Sequence, residues 1–193
     1  MYSKKAEIGV GTLIIFIAMI LVAAIAASVL IQTAVSLQNR ALLTGGRATE
    51  AISTGMEALV IYGTDGANGR IEQFFVKLKP VAGSETIRFD DTMAELMTMN
   101  DSLSLRFGGL GCNSTNLNNN YTHYFVDHLV VSNSFREGYL QRGEVVMLCM
   151  NAPYPIEPNE DLTFGFVSTT GFPLTIETVV PDVVHTSRVF IYP

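Results

Sequence analysis

The sequence predicts an α+β protein, a long N-terminal α-helix followed by an antiparallel β-sandwich of the Ig-like type. Three observations predict it. The run Ile8–Ile31 carries no charged residue over 24 positions. An apolar stripe with near-coiled-coil spacing continues beyond that run. From Arg70 onward the chain breaks into short, β-branched and aromatic runs separated by Gly, Pro and Asn.

As a helix, 24 residues rise about 36 Å, enough to cross a hydrocarbon core of about 30 Å. The stretch is too long for the apolar part of an ordinary secretory signal. Lys4 and Lys5 before it place the N-terminal end on the cytoplasmic side and the remainder outside. Its texture changes along its length, with Ile and Leu dominating early and Ala23-Ala24-Ile25-Ala26-Ala27-Ser28 following. Small residues four apart, such as Ala23/Ala27 and Ala24/Ser28, allow close backbone approach between helices. A solitary membrane anchor and a helix packing against its own copies both fit this pattern.

Alternating steps of four and three continue through Ile31, Val35, Gln38, Leu42, Gly45, Thr49, Ile52, Met56 and Leu59, while Arg40, Arg47, Glu50 and Glu57 fall off the stripe. The expected helix runs from about Ile8 to about Tyr62, with a bend or looser turn at Gly45-Gly46. Gly63 to Gly69 is expected to end it as a linker. The domain plan is therefore a leader over residues 1–6, an assembly helix over 7–62, a linker over 63–69 and a β-domain over 70–193.

Strands are expected at Ile71–Leu78, Thr86–Phe89, Ser102–Phe107, His123–Val131, Glu144–Met150, Leu162–Ser168, Leu174–Val180 and Ser187–Tyr192; Thr92–Met99 fits a strand or a short helix equally. Ala82-Gly83-Ser84, Phe107 to Gly111 and Pro153 to Pro158 are expected as turns. Eight or so short strands in about 120 residues suggest a sandwich.

The net charge is −6 and the twelve Lys and Arg are scattered, which argues against nucleic acid as a partner. The acidic balance suits solubility and mutual repulsion of exposed surfaces. Cys112 and Cys149 match no zinc pattern; they form one disulfide in an oxidising compartment or serve as two small buried hydrophobes. Asn100-Asp101-Ser102, Asn113-Ser114-Thr115 and Asn120-Tyr121-Thr122 are N-glycosylation sequons, two of them in one Asn-rich loop. His123, His128 and His185 are dispersed, and no nucleophile elbow or Walker lysine is present, so no catalytic constellation, cofactor or metal site is expected. Asp90-Asp91 and Glu157/Glu160/Asp161 offer oxygen ligands, with a solvated acidic loop the simpler reading of each.

The run from Gly9-Val10-Gly11-Thr12-Leu13-Ile14-Ile15-Phe16 through Ala23-Ala24-Ile25-Ala26-Ala27-Ser28 to Ile31 resembles the N-terminal signature of archaellins, the archaeal flagellins of the type IV pilin-like superfamily. Val189-Phe190-Ile191-Tyr192-Pro193 is similar to the family's final strand. The resemblance implies a class III signal peptide cut on the cytoplasmic side by a prepilin-type signal peptidase. Lys4, Lys5 and Ala6 match the residues before the cut, leaving Glu7 as the mature N-terminus, although the family more often has Gly where Ala6 stands. Bacterial type IV pilins carry Glu at the fifth mature position, where this chain has Gly11. The resemblance further implies a homopolymer built through N-terminal helices, a membrane-inserted precursor, a secretion ATPase with its membrane platform, and an extracellular swimming filament that is commonly N-glycosylated. Leu13, Ile17, Leu21, Ala24, Ala27 and Ile31 are the expected assembly residues. An adhesive pilus subunit and a membrane-anchored extracellular binding domain are the alternatives.

Overall fold

The computed structural model describes the backbone of residues 3–65, 69–117, 120–184 and 186–193, and the side chains of these except residues 3–8 and 65. The chain divides into two compact units, residues 1–48 and 49–193.

Helix α1, Ser3–Ser53, is 51 residues long, about 76 Å at the usual rise. It continues without interruption through Gly45-Gly46, where a bend was expected. Neighbouring good helix formers outweigh the cost of about 1 kcal/mol per Gly. The helix stops nine residues before the expected end at Tyr62. Met56–Asp65 is strand β1 and Ile71–Pro80 is strand β2, and the two pair antiparallel from Met56↔Pro80 to Asp65↔Ile71. The segment expected as a linker is therefore strand as far as Asp65, and Gly66, Ala67 and Asn68 lie outside the described residues. Helical stepping and strand alternation overlap in Met56-Glu57-Ala58-Leu59-Val60-Ile61. Pairing with β2 buries Met56 and Ala58, two positions apart as strand alternation requires, and a bulge between Ala58 and Val60 lets Ile61 join the same core.

The remaining strands are β3 (Ile87–Arg88), β4 (Thr92–Thr98), β5 (Ser102–Leu110), β6 (His123–Val130), β7 (Tyr139–Leu140), β8 (Val145–Ile156), β9 (Asp161–Ser168), β10 (Leu174–Val179) and β11 (Val189–Tyr192), with a four-residue helix α2 at Ser114–Leu117. The eight expected strand regions each hold a strand, and the undecided Thr92–Met99 segment is β4. Two expected turns are instead irregular strand. Phe107 to Leu110 belongs to β5, with a bulge between Phe107 and Gly109 where it pairs with β6. Pro153 and Pro155 lie within β8, in a stretch where the ladder to β2 is broken and no amide donor is required of them.

A mostly antiparallel β-domain follows a long helix, as the sequence predicts. Nine strands make one sheet in the order β10-β9-β4-β5-β6-β8-β2-β1-β11, antiparallel throughout except for β5 and β6; β3 and β7 pair apart from it. The sheet rolls around a single core to which all nine strands contribute, including Phe74, Leu105, Tyr124, Leu148, Phe164 and Ile191. Its two edge strands meet, where Thr178 Oγ1 on β10 donates to Ile191 O on β11 at 2.9 Å.

On the opposite face of the sheet, Leu117, Phe125 and Cys149 form a second, smaller cluster with Phe75, Cys112 and Met147. Cys112 and Cys149 are joined as a disulfide there, their Cα atoms 5.8 Å apart, which ties the Asn-rich loop to β8.

Candidate assembly interface and the joint beside it

Helix α1 presents apolar side chains that the chain itself leaves uncovered. Its most apolar 18-residue stretch has a mean hydropathy of 3.1 and is entirely unburied. Leu13, Ile17, Leu21 and Ile31 remain 58, 48, 58 and 65% exposed, and Ala24 and Ala27 are exposed beside them. At 100° per residue these six cluster on one side of the helix. The opposite side carries an open apolar groove along Ile15, Ala18, Met19, Val22, Ala23 and Ala26. A helix apolar on both sides needs an apolar environment all round. Lys4, Lys5, Ala6 and Glu7 lie outside the residues whose side chains are described.

The second unit contains a joint that nothing in the sequence pattern marks. Thr54 and Gly55, directly after α1, are fully buried. Gly55 N donates to Ser84 Oγ at 3.1 Å, and Ser84 Oγ donates to Gly55 O at 3.0 Å. Val81 N donates to the same carbonyl at 3.0 Å, while Phe172 N donates to Thr54 O at 3.1 Å. Glu85 N donates to Thr54 Oγ1 at 3.3 Å. Arg142 Nε, donating to Ser84 O at 3.0 Å, braces the turn from behind. Gly55 is required because a Cβ there would lie 2.1 Å from the Phe172 ring. Gly171 is required twice over, by its φ of +100° and by Thr54 O, 2.3 Å from where its Cβ would be. Loops 31 and 118 residues from Thr54 thus converge on two residues. The glycines were the available signal, and no local rule separates them from turn glycines.

The remaining candidate residues lie on the β-domain. Asn100 and Asn113 are exposed. Asn120 is half-buried, and its Oδ1 accepts from Thr122 N at 3.3 Å, Thr122 Oγ1 at 3.3 Å and His123 N at 3.2 Å, leaving the amide nitrogen without a bond among the described residues. Of the acidic clusters, Asp90, Glu157 and Glu160 are engaged by protein groups. Asp90 takes two bonds from Arg88, at 3.0 and 2.8 Å, and the carboxylate raises the pKa of that guanidinium. Glu157 pairs with Arg70 at 2.8 Å, and Glu160 accepts from the Tyr154 hydroxyl. His128 is bracketed by Phe89 and Phe135 rings, and His185 lies outside the described residues. Among the described residues, no three His, Cys, Asp or Glu side chains converge as metal ligands would.

Comparison with known proteins places this arrangement. The family profile for archaeal-type flagellin matches residues 6–178, from the start of the apolar run into β10. Flagellin B1 of Thermoplasma volcanium is 43% identical over 112 residues, covering 55% of this chain and 45% of that protein. Flagellin B2 of Methanocaldococcus jannaschii is 44% identical over 89 residues, covering 46% of this chain and 41% of its own. The chain thus spans about half the length of the relatives it matches. Among solved structures, the archaeal flagellum of Methanospirillum hungatei superposes with a TM-score of 0.71 at 15% identity, over 95% of this chain and 99% of that one. The crystal structure of archaeal flagellin FlaB1 from Methanocaldococcus jannaschii gives 0.65 at 18% identity, over 72% of this chain and 96% of its own. Those two likenesses establish a shared fold. With the profile running from the uncovered helix into the rolled sheet, the chain belongs to the archaeal-type flagellin family.

Proposed function

We propose that this chain is a structural subunit of an archaellum filament, polymerised through α1 and displaying its β-domain outside the cell. The carrying observation is a helix whose large apolar side chains from Val10 to Ile31 all remain about half exposed or more, attached to a domain that has completed its own core. Burying these fourteen side chains against sister helices would stabilise the polymer by roughly 20–40 kcal/mol gross per subunit, at about 1.5–3 each. Lipid is equally apolar, so burial provides no drive for leaving the membrane. Extraction is assigned to a secretion ATPase and its membrane platform. A prepilin-type peptidase cuts after Ala6, because Lys4 and Lys5 would otherwise be carried unpaired into the helix bundle. The role is structural rather than catalytic. An extracellular location accounts for the Cys112–Cys149 disulfide and for glycans on Asn100, Asn113 and Asn120.

The test is mass spectrometry of sheared surface filaments together with electron microscopy. Filaments built from this chain, starting at Glu7, are expected; intact Lys4-Lys5 in filaments refutes the processing, and native molecules found singly in lipid refute the polymer. Ala24→Leu and Ala27→Leu separate the two states further. Both should insert into the membrane normally and abolish filaments, whereas an isolated anchor would tolerate them.

A further inference from the structure

Strands β2 and β8 pair regularly from Leu78↔Val146 to Gln73↔Asn151 and again at Ile71↔Ile156. Between these two pairs Glu72 alone faces Ala152, Pro153, Tyr154 and Pro155. A bulge of this kind bends a strand and re-aims its side chains. Here it opens a cleft of about 270 Å³ bounded by the bulge, by Glu72 and Gln73, and by Leu117 and Tyr121 of the disulfide-tied loop.

The cleft wall carries unused polar groups. Asn151 is buried, and its Nδ2 donates to Leu117 O and, at 3.1 Å, to Asn120 O. Both amide hydrogens are thereby used, and Oδ1 remains as an acceptor with no partner among the described residues. The Glu72 carboxylate, the Gln73 amide and the Tyr121 hydroxyl likewise have none. Tyr121 is 45% exposed, so its ring offers an open flat face. The Tyr154 hydroxyl is held by Thr98, at 2.5 Å, and by Glu160, which leaves its ring as wall.

This donor and acceptor set discriminates among ligand classes. No Lys, Arg or His lines the cleft and Glu72 does, so phosphates and acidic sugars are disfavoured. One carboxylate is too few for a divalent cation, which takes at least six oxygens as Ca²⁺. The unused polar groups, unsatisfied by an apolar ligand, would each be left without a bond. Acceptors beside an aromatic face match a neutral polyol, with hydroxyls to donate and a C–H face to stack. The volume lies just under the pocket range of roughly 300–1,000 Å³ for drug-sized ligands, which suits a single sugar ring.

We propose that the β2–β8 bulge cleft is a binding subsite for one neutral saccharide ring, stacked on Tyr121 and hydrogen-bonded by Glu72, Gln73 and Asn151 Oδ1. The proposal rests on the β-domain facing the outside of the cell. A ligand of this size binds at about millimolar Kd.

The test is saturation-transfer NMR on purified filaments, with methyl α-mannoside, methyl β-galactoside and N-acetylglucosamine as neutral probes and glucuronic acid as the acidic one. At least one neutral probe is expected to bind, glucuronic acid about tenfold more weakly, and Tyr121→Ala to weaken the neutral sugar about tenfold. Glu72→Gln should narrow the gap between acidic and neutral sugars. Silence from all neutral probes at several times the expected Kd, or binding that ignores both substitutions, overturns the proposal. Electron microscopy of the same samples records whether filaments form, so a failure of the polymer reading is seen separately. Asn120→Gln filaments identify the source of the sugar. Stronger probe binding marks the chain's own glycan as the resident, and unchanged binding marks an external saccharide; either outcome supports the site.

Discussion

Helix α1 and the β-domain use the same apolar residue types to opposite ends. Leu13, Ile17 and Ile31 are 58, 48 and 65% exposed, whereas Ile61, Leu78 and Ile87 are at most 1% exposed. A helix satisfies its backbone hydrogen bonds within itself, so α1 holds its conformation while its side chains stay uncovered. A strand cannot do this. Its backbone partners lie on other strands, and the contacts that complete the ladder also assemble the core. The β-domain therefore completes its own core, and α1 leaves its apolar surface uncovered.

That contrast can be broken most directly by placing charge on the helix. Ile17→Lys should abolish filaments outright, because an unpaired ammonium would sit inside the helix bundle, while the β-domain keeps its thermal unfolding transition. Loss of the domain transition in this variant would mean the two regions are not independent. The comparison sharpens with one kind of truncation made twice. Phe74→Ala, in the domain core at 0% exposure, should lower domain stability by about 3–5 kcal/mol, and Leu21→Ala should leave it unchanged. Denaturant unfolding of both variants checks the pair.

The joint lies between these extremes. Gly55→Ala forces the Phe172 ring away and should cost about 1–3 kcal/mol of domain stability by the same measurement. A neutral result would show that Phe172 yields without loss. The last effect appears only at alkaline pH. Burial of the Tyr124 hydroxyl, bonded to Thr92 Oγ1 and, at 3.3 Å, to Phe89 O, pushes its pKa up from the ordinary value near 10. The unfolded chain loses this proton first as pH rises, so the associated stability is complete below about pH 10 and declines above it, by about 1.4 kcal/mol per unit while the folded form stays protonated. Tyr124→Phe should flatten the alkaline decline. An unchanged slope would assign that decline to other groups.

Much of this molecule is local enough to read along the chain. An uncharged run of 24 residues satisfies its own backbone as a helix in apolar surroundings, and its length and composition point to that state before any tertiary contact. The strands from Ile71 onward were legible because alternation and turn residues act over a few positions. Where two periods coincided, at Met56 to Ile61, local reading chose helix and the partner strand β2 decided otherwise. The Pro-rich run after Asn151 reads as a turn, yet the bulge in β8 keeps it in the sheet.

What only the tertiary structure decided involves residues far apart in the chain. The single rolled sheet, the collar around Thr54-Gly55, the 5.8 Å approach of Cys112 to Cys149 and the cleft beside Glu72 each bring such segments together. Sequence by itself determined that the leading stretch is an apolar helix and where most strands after Ile71 lie. Which strand lies beside which depends on a global minimum over many non-local pairings, and no short-range pattern encodes that choice.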